Sequence, residues 1–159
     1  MNRILDALQE AIKKDLGLMS ILMPQKPEGN TAQIQLSFSG IKANGESSTD
    51  DSVSGTESIT LNALYVISGT HKKWINKAIL DSKKLCKLVE NQGGKMPIVV
   101  KVDTEKTKKL YALWNRQMEG QFVYPNDEEK SMPVSYVENY KIDIRFPTDF
   151  LGGDNESNW

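Results

Sequence analysis

From Val134 to Phe146 the chain alternates without a break: Val134, Tyr136, Glu138, Tyr140, Ile142, Ile144 and Phe146 fall on one side, and Ser135, Val137, Asn139, Lys141, Asp143 and Arg145 on the other. A repeat of two residues is that of a strand with one covered face. No helix could gather that set onto a single stripe. A strand this long needs partners, so the chain is committed to a sheet, and Pro147 closes the run.

Two earlier segments supply partners. Ile34, Leu36 and Phe38 alternate with Gln33, Gln35, Ser37 and Ser39, while Ile59, Leu61, Ala63, Tyr65 and Ile67 line one face of a strand whose other face carries Leu64 and Val66. The second pattern suits a central strand covered on both sides. Between them, residues 42–57 are rich in Gly, Ser, Asp and Thr with Val53 as the one sizeable apolar residue, so this loop is expected to be mobile in the free protein. Pro97 opens a short buried strand over residues 98–102, and a further short strand is expected near Ile21 or Phe122.

Helical periodicity appears three times. Ile4, Leu5, Leu8, Ala11, Ile12 and Leu16 share one side of a helix with Asn2 as N-cap and Gly17 as the stop. Residues 70–92 read as the longest helix, ended by Gly93 and Gly94, with Trp74, Ile75, Ala78, Ile79, Leu85, Cys86 and Val89 in one arc and Lys72, Lys73, Lys77, Lys83, Lys84 and Lys87 in another. A third helix is expected from a cap at Asp103 or Thr104 to Gly120, burying Leu110, Tyr111, Leu113, Trp114 and Met118. The order α-β-β-α-β-α-β predicts an α+β domain: a mixed, largely antiparallel sheet with about three helices packed on it, over residues 1–150, followed by a polar tail at 151–159.

The 159 residues suffice for one domain with a real core, and 20 basic against 21 acidic side chains exert no global pull toward nucleic acid or anionic lipid. No stretch approaches the roughly 20 apolar residues that cross a bilayer, and no secretory signal pattern opens the chain, so a cytoplasmic protein is expected. One cysteine, Cys86, excludes an internal disulfide.

Catalytic patterns are scarce. His71 and Cys86, the one histidine and the one cysteine, would lie about 22 Å apart along the same helix, too far for a dyad, and no Cys/His zinc set is available. The contiguous carboxylates Asp127, Glu128 and Glu129 lack the alternating spacing of a calcium loop and read as a solvated turn. Neither Gly93-Gly94 nor Gly152-Gly153 has the context of a phosphate loop. No enzyme, cofactor or metal is expected. The lysine stripe stands out electrostatically, as a solvated face, a contact for an acidic protein partner or a nucleic-acid contact.

Three pieces taken in order carry a resemblance: the N-terminal helix Arg3-Ile4-Leu5-Asp6-Ala7-Leu8; the strand Leu61-Asn62-Ala63-Leu64-Tyr65-Val66-Ile67-Ser68 running into the helix from Trp74 to Val89; and Leu113-Trp114 followed by a turn and Pro133-Val134-Ser135-Tyr136-Val137-Glu138-Asn139-Tyr140. This arrangement resembles the N-terminal domain of the cap proteins of extracellular contractile injection systems, of the antifeeding-prophage and virulence-cassette type, and the wider tail-terminator group of long-tailed phages. The resemblance implies a phage-tail-terminator-like fold and a hexameric ring that sits on the inner tube, ends its growth and anchors the sheath. The partners implied are other copies of the chain and the tube and sheath proteins of a particle that can be released from the cell. Within that reading the interface falls on loop 42–57, with Asp50, Asp51 and Glu57, and on Lys72, Lys73, Lys77, Lys83, Lys84 and Lys87, the stripe facing an acidic surface. An exposed strand edge would accept a strand from the sheath. The other readings are a phage tail-completion or head-tail joining protein, or a cytoplasmic adaptor that uses the basic helix face.

Overall fold

The computed structural model describes residues 2–23, 31–44, 56–69, 73–124 and 134–147. Its elements follow in the order α1 (Asn2–Leu16), β1 (Met19–Leu22), β2 (Gln33–Asn44), β3 (Thr56–Gly69), α2 (Lys73–Cys86), β4 (Lys95–Lys101), β5 (Thr107–Val123) and β6 (Val134–Pro147), and α2 runs on into one π-helical turn, Lys87–Asn91. The strands form one six-stranded sheet in the order β1-β2-β3-β6-β5-β4, antiparallel throughout except for the parallel pair β1 and β2.

The alternation seen in the sequence sets the covered face. Ile59, Leu61, Ala63, Tyr65 and Ile67 of β3 and Tyr140, Ile142, Ile144 and Phe146 of β6 are buried on it, joined by Ile34 and Leu36, by Leu110, Ala112 and Trp114, and by Met96, Ile98 and Val100. Against them lies α1, with Ile4, Leu5, Leu8, Ala11, Ile12 and Leu16 all buried. The sheet curls, because α1 touches both of its edge strands, β1 and β4. Arg3 Nη1 donates to the carbonyls of Lys101 and Val102 at the end of β4, and Gln9 Nε2 donates to the Ser20 carbonyl of β1 at 3.2 Å. One amphipathic helix thus ties the opposite margins of the sheet over a common core.

The third expected helix is a strand. Residues 107–123 form β5, and among the described residues there are two helices rather than about three. The spacing of Leu110, Leu113, Trp114 and Met118 fits a helix, but Leu110, Ala112 and Trp114 also fit period two, and the second pattern prevails because β4 and β6 flank the segment. Asp103 does not cap a helix. Its Oδ1 accepts the amides of Glu105 and Lys106, each at 2.7 Å, and closes the turn between β4 and β5. Asp side chains serve both purposes with the same hydrogen bonds, so the sequence signal was ambiguous.

Smaller corrections concern α2 and β4. Ile75 and Ile79, assigned to the core arc, are exposed, as is Leu80; the buried line runs through Ala78, Asp81, Leu85 and Leu88, with Trp74 and Val89 packed at its rim. Strand β4 is an edge strand buried on one face, with Lys95, Pro97, Val99 and Lys101 exposed. Phe122 belongs to β5, whereas the short strand near Ile21 is present as β1. Loop 42–57 is narrower than expected, since β2 reaches Asn44 and β3 begins at Thr56; residues 45–55 and the tail 151–159 lie outside the described residues.

Gly94 fixes the passage from α2 into β4. Its φ is +74°, and a Cβ there would stand 2.2 Å from the Trp114 carbonyl oxygen, while the Gly94 carbonyl accepts the Trp114 amide at 2.8 Å. Gly93 has a similar φ of +65° but open space around it. Gly93→Ala is expected to cost about 1 kcal/mol for the left-handed backbone alone, and Gly94→Ala more than about 2 kcal/mol because backbone must also move. Denaturant midpoints of the two variants check this, and equal losses would contradict the close approach.

Candidate functional site

Two buried carboxylates meet between α2 and the sheet, one from each. Asp81 is 0% exposed and Glu138, which points inward from β6, is 1% exposed. A buried carboxylate costs several kcal/mol unless it is matched by donors. Asp81 Oδ2 accepts the Tyr65 hydroxyl at 2.6 Å, and its Oδ1 accepts Lys77 Nζ at 2.7 Å, one helical turn earlier. Glu138 Oε2 accepts the hydroxyls of Ser82 and Tyr136, both at 2.5 Å, and Oε1 accepts that of Tyr140 at 2.5 Å. Arg116 Nη2 stands 3.7 Å from Glu138 Oε1 and donates to Tyr140 Oη at 3.1 Å. Two pairs therefore cross from α2 to the sheet: Asp81 with Tyr65, and Ser82 with Glu138.

Burial, reinforced by the Asp81 carboxylate, raises the Tyr65 hydroxyl far above its ordinary range. Burial and the Glu138 carboxylate raise Tyr140 and Tyr136 in the same direction. Held protonated, all three act as donors to the carboxylates. A hydrogen bond to Glu90 pushes the Cys86 thiol up, opposite to what a reactive thiolate needs. Among the described residues no group of three His, Cys, Asp or Glu side chains is placed to hold a metal ion. Nor is any helix among them long and apolar enough to cross a membrane. The polar cluster is a clamp that sets the position of α2.

The sheet margins offer a different kind of site. Strand β1 covers β2 only over Gln33 to Leu36, and β4 covers β5 only over Thr107 to Leu113. Among the described residues, the outer edges of 37–44 on β2 and 115–123 on β5 have no strand partner. The two recessed stretches lie on opposite margins and at opposite ends of the strands. Both expose apolar side chains: Phe38 (49%) and Ile41 (74%) on the first, Met118, Phe122 and Val123 on the second. Gly120 leaves room for the Tyr136 hydroxyl, which a Cβ would meet at 1.8 Å, where the register of β5 on β6 shifts between Met118 and Gln121.

The lysine stripe divides. Lys77 pairs with Asp81; Lys73 and Lys83 are exposed; Lys84 Nζ donates to the Leu16 carbonyl at 3.3 Å and so caps the end of α1. Lys84 and Lys87 converge with Lys14 and Lys95, two lysines from outside the stripe, around one cleft. Glu57 is the second residue of β3, opposite Phe146. Asp50, Asp51, His71, Lys72 and Asp127 to Glu129 lie outside the described residues.

Sequence reasoning missed Asp81 and Glu138. The available signal was phase: Glu138 occupies an inward position in an otherwise aromatic and aliphatic alternation, and Asp81 lies on the helix line of Trp74, Ala78 and Leu85. Comparison with protein-family models and with curated proteins gave no match.

The clamp has a pH signature. The ordinary tyrosine value is 10, and the folded values of Tyr65 and Tyr140 are raised above it, so their contribution to stability is fully present below pH 10 and is lost as pH rises further. The denaturant midpoint is expected to fall steeply above pH 10, and less steeply in Tyr65→Phe, which should itself cost about 1–3 kcal/mol at neutral pH by leaving an Asp81 oxygen unmatched. Parallel pH profiles for the variant and the parent chain would contradict the assignment.

Proposed function

We propose that the chain is a non-catalytic assembly subunit: a cap, or tail terminator, that closes into a six-fold ring on the inner tube of a contractile phage-tail-like particle, ends tube growth and anchors the sheath. The observation that carries the assembly role is the pair of recessed strand edges on opposite margins of the sheet. An unpaired edge bearing apolar side chains is a template for another strand. With one such edge on each margin, each copy offers a different surface to the neighbour on either side. That is the heterologous contact from which rings are built when the rotation per subunit closes the circle.

Chain direction favours the same arrangement. Both β2 and β6 run antiparallel to β3, and β5 runs antiparallel to β6, so β2 and β5 point in opposite directions. In a ring with all copies oriented alike, the β5 edge of one copy meets the β2 edge of the next in antiparallel sense when the strands are inclined to the ring axis, which the offset of the two free stretches requires. The particle itself, its tube and its sheath enter from the resemblance of the three sequence pieces named above. The tyrosine and carboxylate clamp suits a subunit that must keep its shape under load, since it fixes α2 to the sheet by directional bonds.

Ile41→Lys and Val123→Lys place a charge on the two edges at positions already exposed, so each is expected to change monomer stability by less than about 0.5 kcal/mol. Native mass spectrometry is expected to find rings for the parent chain and monomers for either variant, with unchanged circular dichroism. A parent chain that stays monomeric at high concentration and does not join purified tubes would overturn the proposal.

A further inference from the structure

Both helices pack on the face of the sheet that holds Tyr65, Trp114 and Glu138, so among the described residues the opposite face carries no helix. Alternation places six cations on that face: Lys42 of β2, Lys141 and Arg145 of β6, Lys109 of β5, and Lys95 and Lys101 of β4. Register draws them together, since Lys42 lies opposite Ser58 and Ser58 opposite Arg145, while Lys141 neighbours Asn115, Lys95 neighbours Leu113 and Lys109 neighbours Val99. Asp143 is the one carboxylate among these positions, and its Oδ1 accepts the Thr60 hydroxyl at 2.6 Å. None of the six cations forms an ion pair among the described residues. Among them stands Tyr111, 48% exposed, with Lys109 Nζ 5.5 Å from its ring centre. Tyr111 on β5 and Arg145 on β6 each lie one position beyond the Ala112–Ile144 pair.

The ordinary purpose of lysines on a sheet is to keep an edge strand from pairing, and Lys95 and Lys101 serve it on β4. That purpose does not account for Lys141 and Arg145, because β6 lies between β3 and β5 and has no free edge to protect there. We infer that this face binds single-stranded nucleic acid, with the lysines and Arg145 holding successive phosphates and Tyr111 stacking on a base. Charge complementarity calls for a polyanion, and the exposed ring selects its kind. An acidic peptide offers no flat ring to stack, and in a duplex the bases are already stacked on one another, whereas unpaired bases seek an aromatic platform. From β2 to β4 the face spans four strand spacings, roughly 19 Å, enough for a track of a few nucleotides. Phosphate contacts and stacking carry no base code, so binding is indifferent to sequence. The lysines of α2 lack this combination of guanidinium, exposed ring and flat surface. The site uses the face of the sheet and not its free edges, so it is independent of the ring.

Fluorescence anisotropy of short labelled oligo(dT) and oligo(U), titrated with the intact chain, tests the inference. Both are expected to bind, and a preference between them names DNA or RNA as the source of the strand. About four phosphate contacts lower affinity roughly fiftyfold between about 50 and 200 mM salt. Tyr111→Phe is expected to bind like the parent chain and Tyr111→Ala about fivefold or more weakly, through lost stacking. At physiological salt, where charges act over only about 8 Å, Lys109→Glu with Arg145→Glu is expected to lose at least about tenfold. Lys73→Glu with Lys83→Glu, the same change of net charge on exposed lysines of α2, is expected to change affinity less than about twofold. Failure of the parent chain to bind either oligonucleotide would overturn the inference, a result that depends on no variant folding. So would tighter binding of a duplex of the same length, of a poly-glutamate peptide or of inorganic polyphosphate than of the single strand. Equal losses in the two charge-reversed pairs, each with parent-like circular dichroism, would contradict the placement on this face, and equal losses in Tyr111→Phe and Tyr111→Ala would contradict the stacking.

Discussion

One helix touching both margins of a sheet is the constraint from which this architecture follows. Alternation along β3 and β6 places a continuous apolar face on one side of six strands, and a flat sheet of that width could not be sealed by helices as short as α1 and α2. By packing on β4 and β1 together, and by tying their backbones through Arg3 and Gln9, α1 draws the sheet into a curl. The core becomes deep enough to exclude water from Trp114, Tyr140 and Phe146. At typical transfer values each such aromatic contributes on the order of 2–3 kcal/mol.

Helix α2 has less apolar area to offer, since only Ala78, Leu85 and Leu88 are fully covered along its length. Its seat is specified instead by polar bonds from Asp81 and Ser82 to tyrosine and glutamate on the sheet. A buried polar pair matched on both sides adds little net stability but penalises every alternative register, because any shift would strand a carboxylate. The ring contacts from Trp74 to Phe122, edge-on, and from Phe122 to Tyr136, tilted, continue the same junction toward residues 115–123 of β5. The clamp and the exposed strand edge are thus mechanically continuous.

Strands β2, β3 and β6 and helix α1 were legible in the sequence because each has a long run with a single period. Strand β5 was not, since Leu110, Leu113 and Trp114 satisfy two periods at once and Ala112, too small to register in a hydrophobic pattern, decides between them only after β4 and β6 are in place. Neither buried carboxylate announces itself by residue type; both are visible only as charged residues in phase with apolar ones. The basic cleft was half legible: Lys84 and Lys87 belong to the helix stripe, but Lys14 and Lys95 come from elements distant in sequence, and only the fold brings them together.

Edges without a partner among the described residues, carrying Ile41, Phe38, Phe122 and Val123, are a hazard for a protein that remains alone and an asset for one that assembles. Amide hydrogen exchange, compared between the free chain and the chain in the ring and tube assembly proposed for it, tests the assembly role most directly. Strong protection gained at residues 37–44 and 115–123, with the already protected centres of β3 and β6 unchanged, is the expected result. An assembled particle in which those two segments exchange as fast as in the free chain would contradict edge-to-edge ring formation.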